Sequence, residues 1–255
     1  MLKWLILAAL TAPVPAQAQA QAETQSPACR ETGFDGATFT ACEIDMAETD
    51  VRLFLDDPGG APYGSFNAVD RALRRGGGAL GIAMNAGMYH SDRSPVGHYV
   101  ENGETRRDVV TSAGPGNFGM LPNGVLCLAS DRAAITESRA YAADPPSCTY
   151  ATQSGPMLVI DGALHPRFLE SGTSRYVRNG AGVSADGRTL WLAISDERVN
   201  FHTFARFFRD GLGARNALYF DGNVSRLYDS GTGRHDGGVP MGPIIGTVRD
   251  TREES

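Results

Sequence analysis

The residues best suited to chemistry in this chain are carboxylates, amides and arginines set beside glycine. They fall in Asn85-Ala-Gly-Met-Tyr89, Ser154-Gly155-Pro156, Asp161-Gly162, the polar run from Arg175 through Arg178 to Val183, Ser195-Asp196, and Asp221-Gly222-Asn-Val-Ser225. A carboxylate at the end of an apolar strand can have its proton affinity tuned by burial, and an arginine can grip a phosphate through two parallel hydrogen bonds. Taken singly, each is turn chemistry, since Asp-Gly and Asn-Gly pairs make hairpins and arginines make solvated ion pairs. Taken together, they point to a carbohydrate or phosphate site. The sequence has no G-x-S-x-G elbow, H-E-x-x-H pair or Walker lysine, which disfavours ordinary serine and metallohydrolases. His90, His98, His165, His202 and His235 fall at no recognised ligand spacing. A cation shared by His90, His98 and Asp92 is weaker than reading these as surface histidines. No motif calls for a metal or an organic cofactor.

These loops need elements to hold them. Strand patterns occur at Ala37–Ile44, Val51–Asp56, Ala79–Met84, Gly124–Ala129, Pro156–Ile160, Thr189–Ile194, Ala217–Phe220 and Ile244–Val248, most of them bounded by Gly, Pro or Asp. Two helices stand out. Phe66–Arg75 has Ser65 as N-cap, Phe66, Val69 and Leu73 on one face, and Gly76-Gly-Gly78 as its stop. Asn200–Leu212 puts Phe201, Phe204, Phe208 and Leu212 on one face as core. Each helix feeds a buried strand that ends in a small-residue loop opening with Asn85 or Asp221, so the two loops are expected to face one cleft. With no linker and no repeat, the expectation is one α+β domain, a mixed β-sheet core with two main helices over residues 37–250. A lead-in (21–36) precedes it and a short tail (251–255) follows.

The 255 residues are 42% hydrophobic and 20% charged with 31 glycines, which excludes a disordered chain or a coiled coil. Lys3, the apolar run Trp4–Leu10 and the small-residue tract Ala16–Ala20 read as a secretory signal peptide over 1–20, too short to span a membrane. Without it no lysine remains, and 22 arginines stand against 29 carboxylates, net −7. That balance argues against nucleic acid or an anionic membrane as partner. The product is expected to be periplasmic or secreted, without stable membrane insertion. Cys29, Cys42, Cys127 and Cys148 form no C-x-x-C pair. In an exported chain they suggest disulfides, and proximity favours Cys29–Cys42 and Cys127–Cys148.

Four stretches occur in the order found in one family: Asn85-Ala-Gly-Met-Tyr89, Ser154-Gly-Pro-Met-Leu158, Arg178-Asn-Gly-x-Gly182-Val183 and Asn216-Ala-Leu-Tyr-Phe-Asp-Gly222. Over roughly Ala37–Val248 the chain resembles phosphodiester glycosidase domain proteins, especially small exported bacterial members. It departs from the lysosomal branch, which has Asn-Gly-Gly where this chain has Asn85-Ala-Gly87. That branch also has Asp-Gly-Gly-Gly-Ser where this chain has Asp221-Gly-Asn-Val-Ser225.

The resemblance implies hydrolysis of the bond between a sugar and a phosphodiester, with a carbohydrate or phosphoglycan as substrate. An oxocarbenium-like transition state wants carboxylates nearby, and the departing phosphate wants fixed positive charge. Asp221 is therefore expected as the key carboxylate, Asp196 as the second and Asp161 in reserve. Asn85 would hydrogen-bond the sugar in the catalytic set. Arg178, with Arg175 behind it, would bind phosphate bidentately. Tyr89 would form a stacking wall, and Ser154, Gly155, Gly222 and Ser225 would complete the binding loops. The competing readings are a non-catalytic envelope-glycan or phosphoglycan binding module and a phosphodiesterase that cuts P–O.

Overall fold

The computed structural model describes residues 28–251, so the expected signal peptide and all but one residue of the tail lie outside the described residues. In chain order, β1 (Ala28–Phe34), β2 (Ala37–Asp45) and β3 (Asp50–Phe54) precede helix α1 (Phe66–Arg75) and β4 (Gly78–Asn85). Next come β5 (Tyr99–Glu101), β6 (Glu104–Arg107), β7 (Gly124–Leu128), β8 (Ala133–Glu137) and helix α2 (Ser138–Ala143). Strands β9 (Tyr150–Ser154), β10 (Met157–Ile160), β11 (Ala163–Leu164), β12 (Asn179–Val183) and β13 (Thr189–Ser195) lead to helix α3 (Phe201–Arg206). Strands β14 (Asn216–Asp221), β15 (Leu227–Asp229), β16 (Arg234–His235) and β17 (Ile244–Asp250) follow.

The strands form three sheets, ordered β1-β2-β13-β12-β14-β10-β11, β16-β15-β4-β17-β3 and β6-β5-β9-β7-β8. All strand pairings within them are antiparallel. The architecture is the α+β, single-domain one expected. Where the sheets meet, alternate residues interlock: Cys42, Leu192, Ile194, Leu218 and Phe220 of the first, Leu53, Met84, Leu227 and Ile245 of the second, Leu126, Ile135 and Tyr99 of the third. Burying such side chains contributes about 1.5–3 kcal/mol each. The helices cover outer faces. Phe66 and Val69 of α1 pack on Leu80, Ala83 and Ile244, while α3 packs on the opposite face of the first sheet.

Helix α1 has the expected bounds because its caps are local. The Ser65 hydroxyl accepts from the Ala68 amide, and Gly77, at φ 81°, turns the chain out at the other end. The second helix differs from its expected span. It is α-helical over Phe201–Arg206 and then widens into a π turn over Phe207–Gly211. The wider turn lets consecutive Phe207 and Phe208 both reach the core, with Phe207 stacked on Phe39 at 4.1 Å between ring centroids. Strand β1 falls in the stretch read as lead-in. It pairs along its length with β2, with Cys29 opposite Cys42. The disulfides are Cys29–Cys42 and Cys127–Cys148, the pairing expected from proximity.

Candidate active site

Strand β12 sets the geometry of the site. A Cβ on Gly182 would fall 2.6 Å from the Phe208 ring, and one on Gly180 would fall 2.4 Å from the Leu218 carbonyl oxygen. Small residues are therefore required where α3 and β14 crowd this strand. At its start, buried Asn179 bridges two sheets. Its Nδ2 donates to the carbonyl and the Oδ1 of Asn85, at 3.1 and 2.9 Å. Its Oδ1 accepts from the Asp221 amide at 3.3 Å and from the Ser225 hydroxyl at 3.3 Å. The register of β12 against β14 shifts here, Gly180 facing Tyr219 but Asn179 facing Asp221, which leaves Phe220 as the extra residue of a bulge. Bulges of this kind re-aim side chains beside sites. The Ser225 hydroxyl also reaches the Val177 carbonyl at 2.9 Å and the Asp221 carbonyl at 2.6 Å, pinning the loop.

Asp221 lines a cavity of about 530 Å3 together with Met88, Tyr89, Val96, Pro115–Phe118, Ser174, Tyr176, Tyr219, Gly222 and Asn223. That volume lies within the ordinary range for ligand pockets. Asp221 is its one carboxylate. Burial pushes the Asp221 carboxyl above the usual carboxylate range, opposed by hydrogen bonds from the Asn223, Gly222 and Val224 amides. The Asn223 bond is 2.8 Å long. Three tyrosines supply the walls. The Tyr89 hydroxyl donates to the Pro240 carbonyl at 3.2 Å and its ring lies 5.4 Å from the Arg93 guanidinium. Burial raises the Tyr89 phenol, and the Asp221 charge adds to the shift.

Behind Tyr219 and Tyr176 lies Arg178, fully buried, its guanidinium 3.6 Å from the centroid of the Phe201 ring. Its Nε donates to the Val199 carbonyl at 3.0 Å and its Nη2 to the Ser174 carbonyl at 2.9 Å. Its Nη1 and the Tyr219 hydroxyl are buried without a hydrogen bond of normal geometry. Each still feels the other's field: burial lowers the Arg178 pKa and the nearby Tyr219 oxygen opposes that shift. Burial also raises the Tyr219 phenol well above its usual range.

A family model described as phosphodiester glycosidase matches residues 79–237, which takes in Asn85, Asn179, Tyr219 and Asp221. The chain belongs to the phosphodiester glycosidase family. It is 30% identical over 194 residues to the uncharacterized protein YigE of Escherichia coli K12, covering 76% of this chain and 75% of that one. Its fold is similar to the catalytic domain of zebrafish N-acetylglucosamine-1-phosphodiester alpha-N-acetylglucosaminidase, auto-inhibited there by a pro-peptide. The TM-score is 0.61 at 13% identity, over 90% of this chain and 86% of that one. A putative exported protein of Burkholderia pseudomallei is similar at TM-score 0.51 and 13% identity, over 83% and 74%.

Within this phosphodiester glycosidase domain the expected residues fall into two groups. Tyr89, Asp221 and Gly222 line the cavity, and Ser225 holds its loop from below. Arg175, exposed, sits between the lining residues Ser174 and Tyr176. The others need correction. Asp196 does not join Asp221: it accepts from Arg234 at 2.9 Å and from the Thr40 hydroxyl at 3.0 Å, groups on β16 and β2 away from the cavity. It continues the row Leu190, Leu192, Ile194 toward the junction of the sheets, whereas Tyr219 lies in the cluster around α3. Arg178 cannot offer a two-nitrogen fork, because two of its three nitrogens already hold backbone carbonyls.

Asn85 is sealed, with its amide spent on Asn179 and on the Arg226 amide. Ser154 is fully buried and donates to the Phe220 carbonyl at 2.9 Å. Gly155 packs against Asn123, where a Cβ would fall 2.5 Å from the Asn123 Cβ. Asp161, at φ 50°, makes the exposed turn between β10 and β11. His98 is buried and bonded to the Arg107 carbonyl and the Tyr141 hydroxyl. Among the described residues, no group of three or more His, Cys, Asp or Glu side chains gathers as a metal site. Tyr176, Asn179 and Tyr219 join the site without any expected role, although Asn179 lies in the stretch Arg178–Val183 and Tyr219 in Asn216–Gly222.

Proposed function

We propose that this protein is an exported hydrolase that cleaves the sugar–phosphate glycosidic bond of a glycosyl phosphodiester, releasing free sugar and a phosphomonoester. The observation that carries the reading is a cavity with a single carboxylate, Asp221, whose proton affinity is raised by burial. An ordinary glycosidase uses two carboxyl groups, because its sugar or alcohol leaving group must be protonated as it departs. A phosphomonoester leaves as a stable anion and needs no such proton. One carboxylate then suffices. Water attacks the anomeric carbon, its proton passes to Asp221, and the C–O bond electrons stay on the phosphate oxygen. A single displacement of this kind inverts the anomeric centre. Tyr89 and Tyr176 offer faces for the sugar ring, and Arg175 at the rim offers charge for the phosphate. Arg178 acts from behind, fixing Ser174 and Val199. The leader-like start of the sequence and the two disulfides support export into an oxidising compartment.

The test is product analysis of the mature protein against a panel of sugar-1-phosphodiesters. Free sugar plus phosphomonoester, lost in Asp221→Asn, is the expected result. Glycan affinity without turnover would replace this reading with a binding module.

A further inference from the structure

In the loop that follows β14, Asp221-Gly-Asn-Val-Ser225, the protein itself engages every residue's side-chain position but one. The Asp221 carboxylate accepts from the amides of Gly222, Asn223 and Val224. Gly222 has no Cβ and lies over the Tyr219 hydroxyl. Val224 turns inward against the cluster that contains Phe54, Phe66 and Met241. The Ser225 hydroxyl contacts the Val177 and Asp221 carbonyls and Asn179. That leaves the Asn223 carboxamide, which is exposed on the cavity wall and has no hydrogen-bond partner among the described residues. The turn does not call for asparagine there, since the φ of Asn223 is not positive. An exposed amide without a protein partner is common on a surface; what distinguishes this one is where it is held. Its backbone N–H donates to Asp221 Oδ1 at 2.8 Å, so the side chain is rooted directly beside the carboxylate. Buried Val224 and the bonds of Ser225 keep the loop from moving away.

A water activated by Asp221 lies about 2.6–3.2 Å from the carboxylate and about 3–3.5 Å from the anomeric carbon it attacks. A side chain rooted beside that carboxylate therefore flanks the anomeric carbon and its neighbours in the sugar ring. One neighbour is the ring oxygen, which gains positive character in an oxocarbenium-like transition state and stops being a useful acceptor. The other is C2, and hydrogen bonds to a hydroxyl on it strengthen as that state forms. We infer that Asn223 is a specificity residue whose carboxamide hydrogen-bonds the 2-hydroxyl of the sugar, so that the substrate is the phosphodiester of a hexose with that hydroxyl unsubstituted. This deepens the glycosidase reading and rests on it. A carboxamide both donates and accepts, as a hydroxyl does, so the pair can be satisfied in either sense. The pinned loop does not retreat to admit a bulkier 2-acetamido group. Because the contact tightens in the transition state, it acts on kcat more than on KM.

The experiment is a cycle in which the side chain and the hydroxyl are removed separately and together. Wild type and Asn223→Ala are assayed on the methyl phosphodiester of glucose, galactose or mannose, whichever turns over fastest. The same two proteins are assayed on its 2-deoxy counterpart and on N-acetylglucosaminyl methyl phosphate. Alanine keeps the backbone N–H that binds Asp221. The expected result is that the wild type prefers the hexosyl to the N-acetylglucosaminyl ester. In Asn223→Ala, kcat should fall about tenfold on the hexosyl ester but less than about twofold on the 2-deoxy ester, at an unchanged melting temperature. Equal losses on those two esters, no loss on either, or faster turnover of the N-acetylglucosaminyl ester by the wild type would overturn the contact and leave the glycosidase standing. If no ester is hydrolysed the glycosidase falls, and calorimetric binding of the same esters decides the contact. Affinity for the hexosyl ester weakened by Asn223→Ala, with that for the 2-deoxy ester unmoved, would sustain it. Any other pattern, including no binding, would remove both.

Discussion

Gly222 lies directly over Tyr219, and that contact yields a two-residue prediction. A Cβ at position 222 would fall 2.1 Å from the Tyr219 hydroxyl oxygen, but 3.4 Å from the ring carbon that carries it and 3.5 Å from the Tyr176 Cβ. The first distance is a hard clash with a fully buried atom, and the other two are ordinary contacts. Gly222 is not at positive φ, so alanine itself brings no backbone strain. Gly222→Ala should therefore cost about 2 kcal/mol, the usual range for overpacking a buried site, and should displace Asp221 and lower kcat/KM with it. Tyr219→Phe removes the offending oxygen, which has no hydrogen bond of normal geometry to lose, and should be close to neutral in stability. In the Tyr219→Phe background, Gly222→Ala should then cost less than about 0.5 kcal/mol. The coupling of about 2 kcal/mol would be read from urea unfolding of the four proteins in a double-mutant cycle. An equal cost in both backgrounds would refute the packing described here.

Other consequences can be checked on single variants. Because burial raises the Asp221 pKa in the folded state, the native protein binds a proton more readily there than the unfolded chain does. Its contribution to stability is thus fully present at low pH and lost as pH rises past the ordinary carboxylate range. Asp221→Asn keeps an oxygen for the Asn223 amide and removes this loss, so melting temperatures should show it at least as stable as the wild type at pH 7, the advantage vanishing near pH 3. Asp196→Asn weakens a pair with Arg234 near the surface and should cost roughly 1 kcal/mol in denaturant unfolding while changing turnover less than threefold. Asn179→Ala strips partners from Asn85, the Asp221 amide and Ser225. It should destabilise by about 2–4 kcal/mol and reduce turnover at a melting temperature still above the assay. Replacing Cys29 and Cys42 by serine should lower stability by about 2–3 kcal/mol in denaturant unfolding, and reduction of the wild type, which also opens Cys127–Cys148, should lower it further.

The parts of the fold that announce themselves in the sequence are those whose signals are local. Ser65, the spacing of Phe66 and Val69, and the glycines after Arg75 are enough to bound α1, and runs such as Ala217–Phe220 cannot be anything but buried strand. Strand β6 is exposed at every position, so no apolar alternation marks it. Strand β12, with two glycines in five residues, reads as a loop, and only the crowding of Phe208 and Leu218 against it explains those glycines. The same distinction runs through the site. Asp221 stands at the end of a strong strand, where a polar residue in an apolar setting is visible, and Tyr89 in the loop that leaves another. What Arg178 and Asp196 do depends on partners that adjacency does not reveal. Val199 and Ser174 occupy the guanidinium, and Arg234, 38 positions away, claims the carboxylate.

The most direct test of the central claim is hydrolysis of a glycosyl phosphodiester in 18O-labelled water, with the label followed into both products and the anomer of the released sugar read before it equilibrates. The account predicts 18O in the sugar hemiacetal, none in the phosphate, an inverted anomeric centre, and no labelled sugar from Asp221→Asn. Label in the phosphate would mean that the P–O bond is cut and that Asp221 does not serve the chemistry assigned to it.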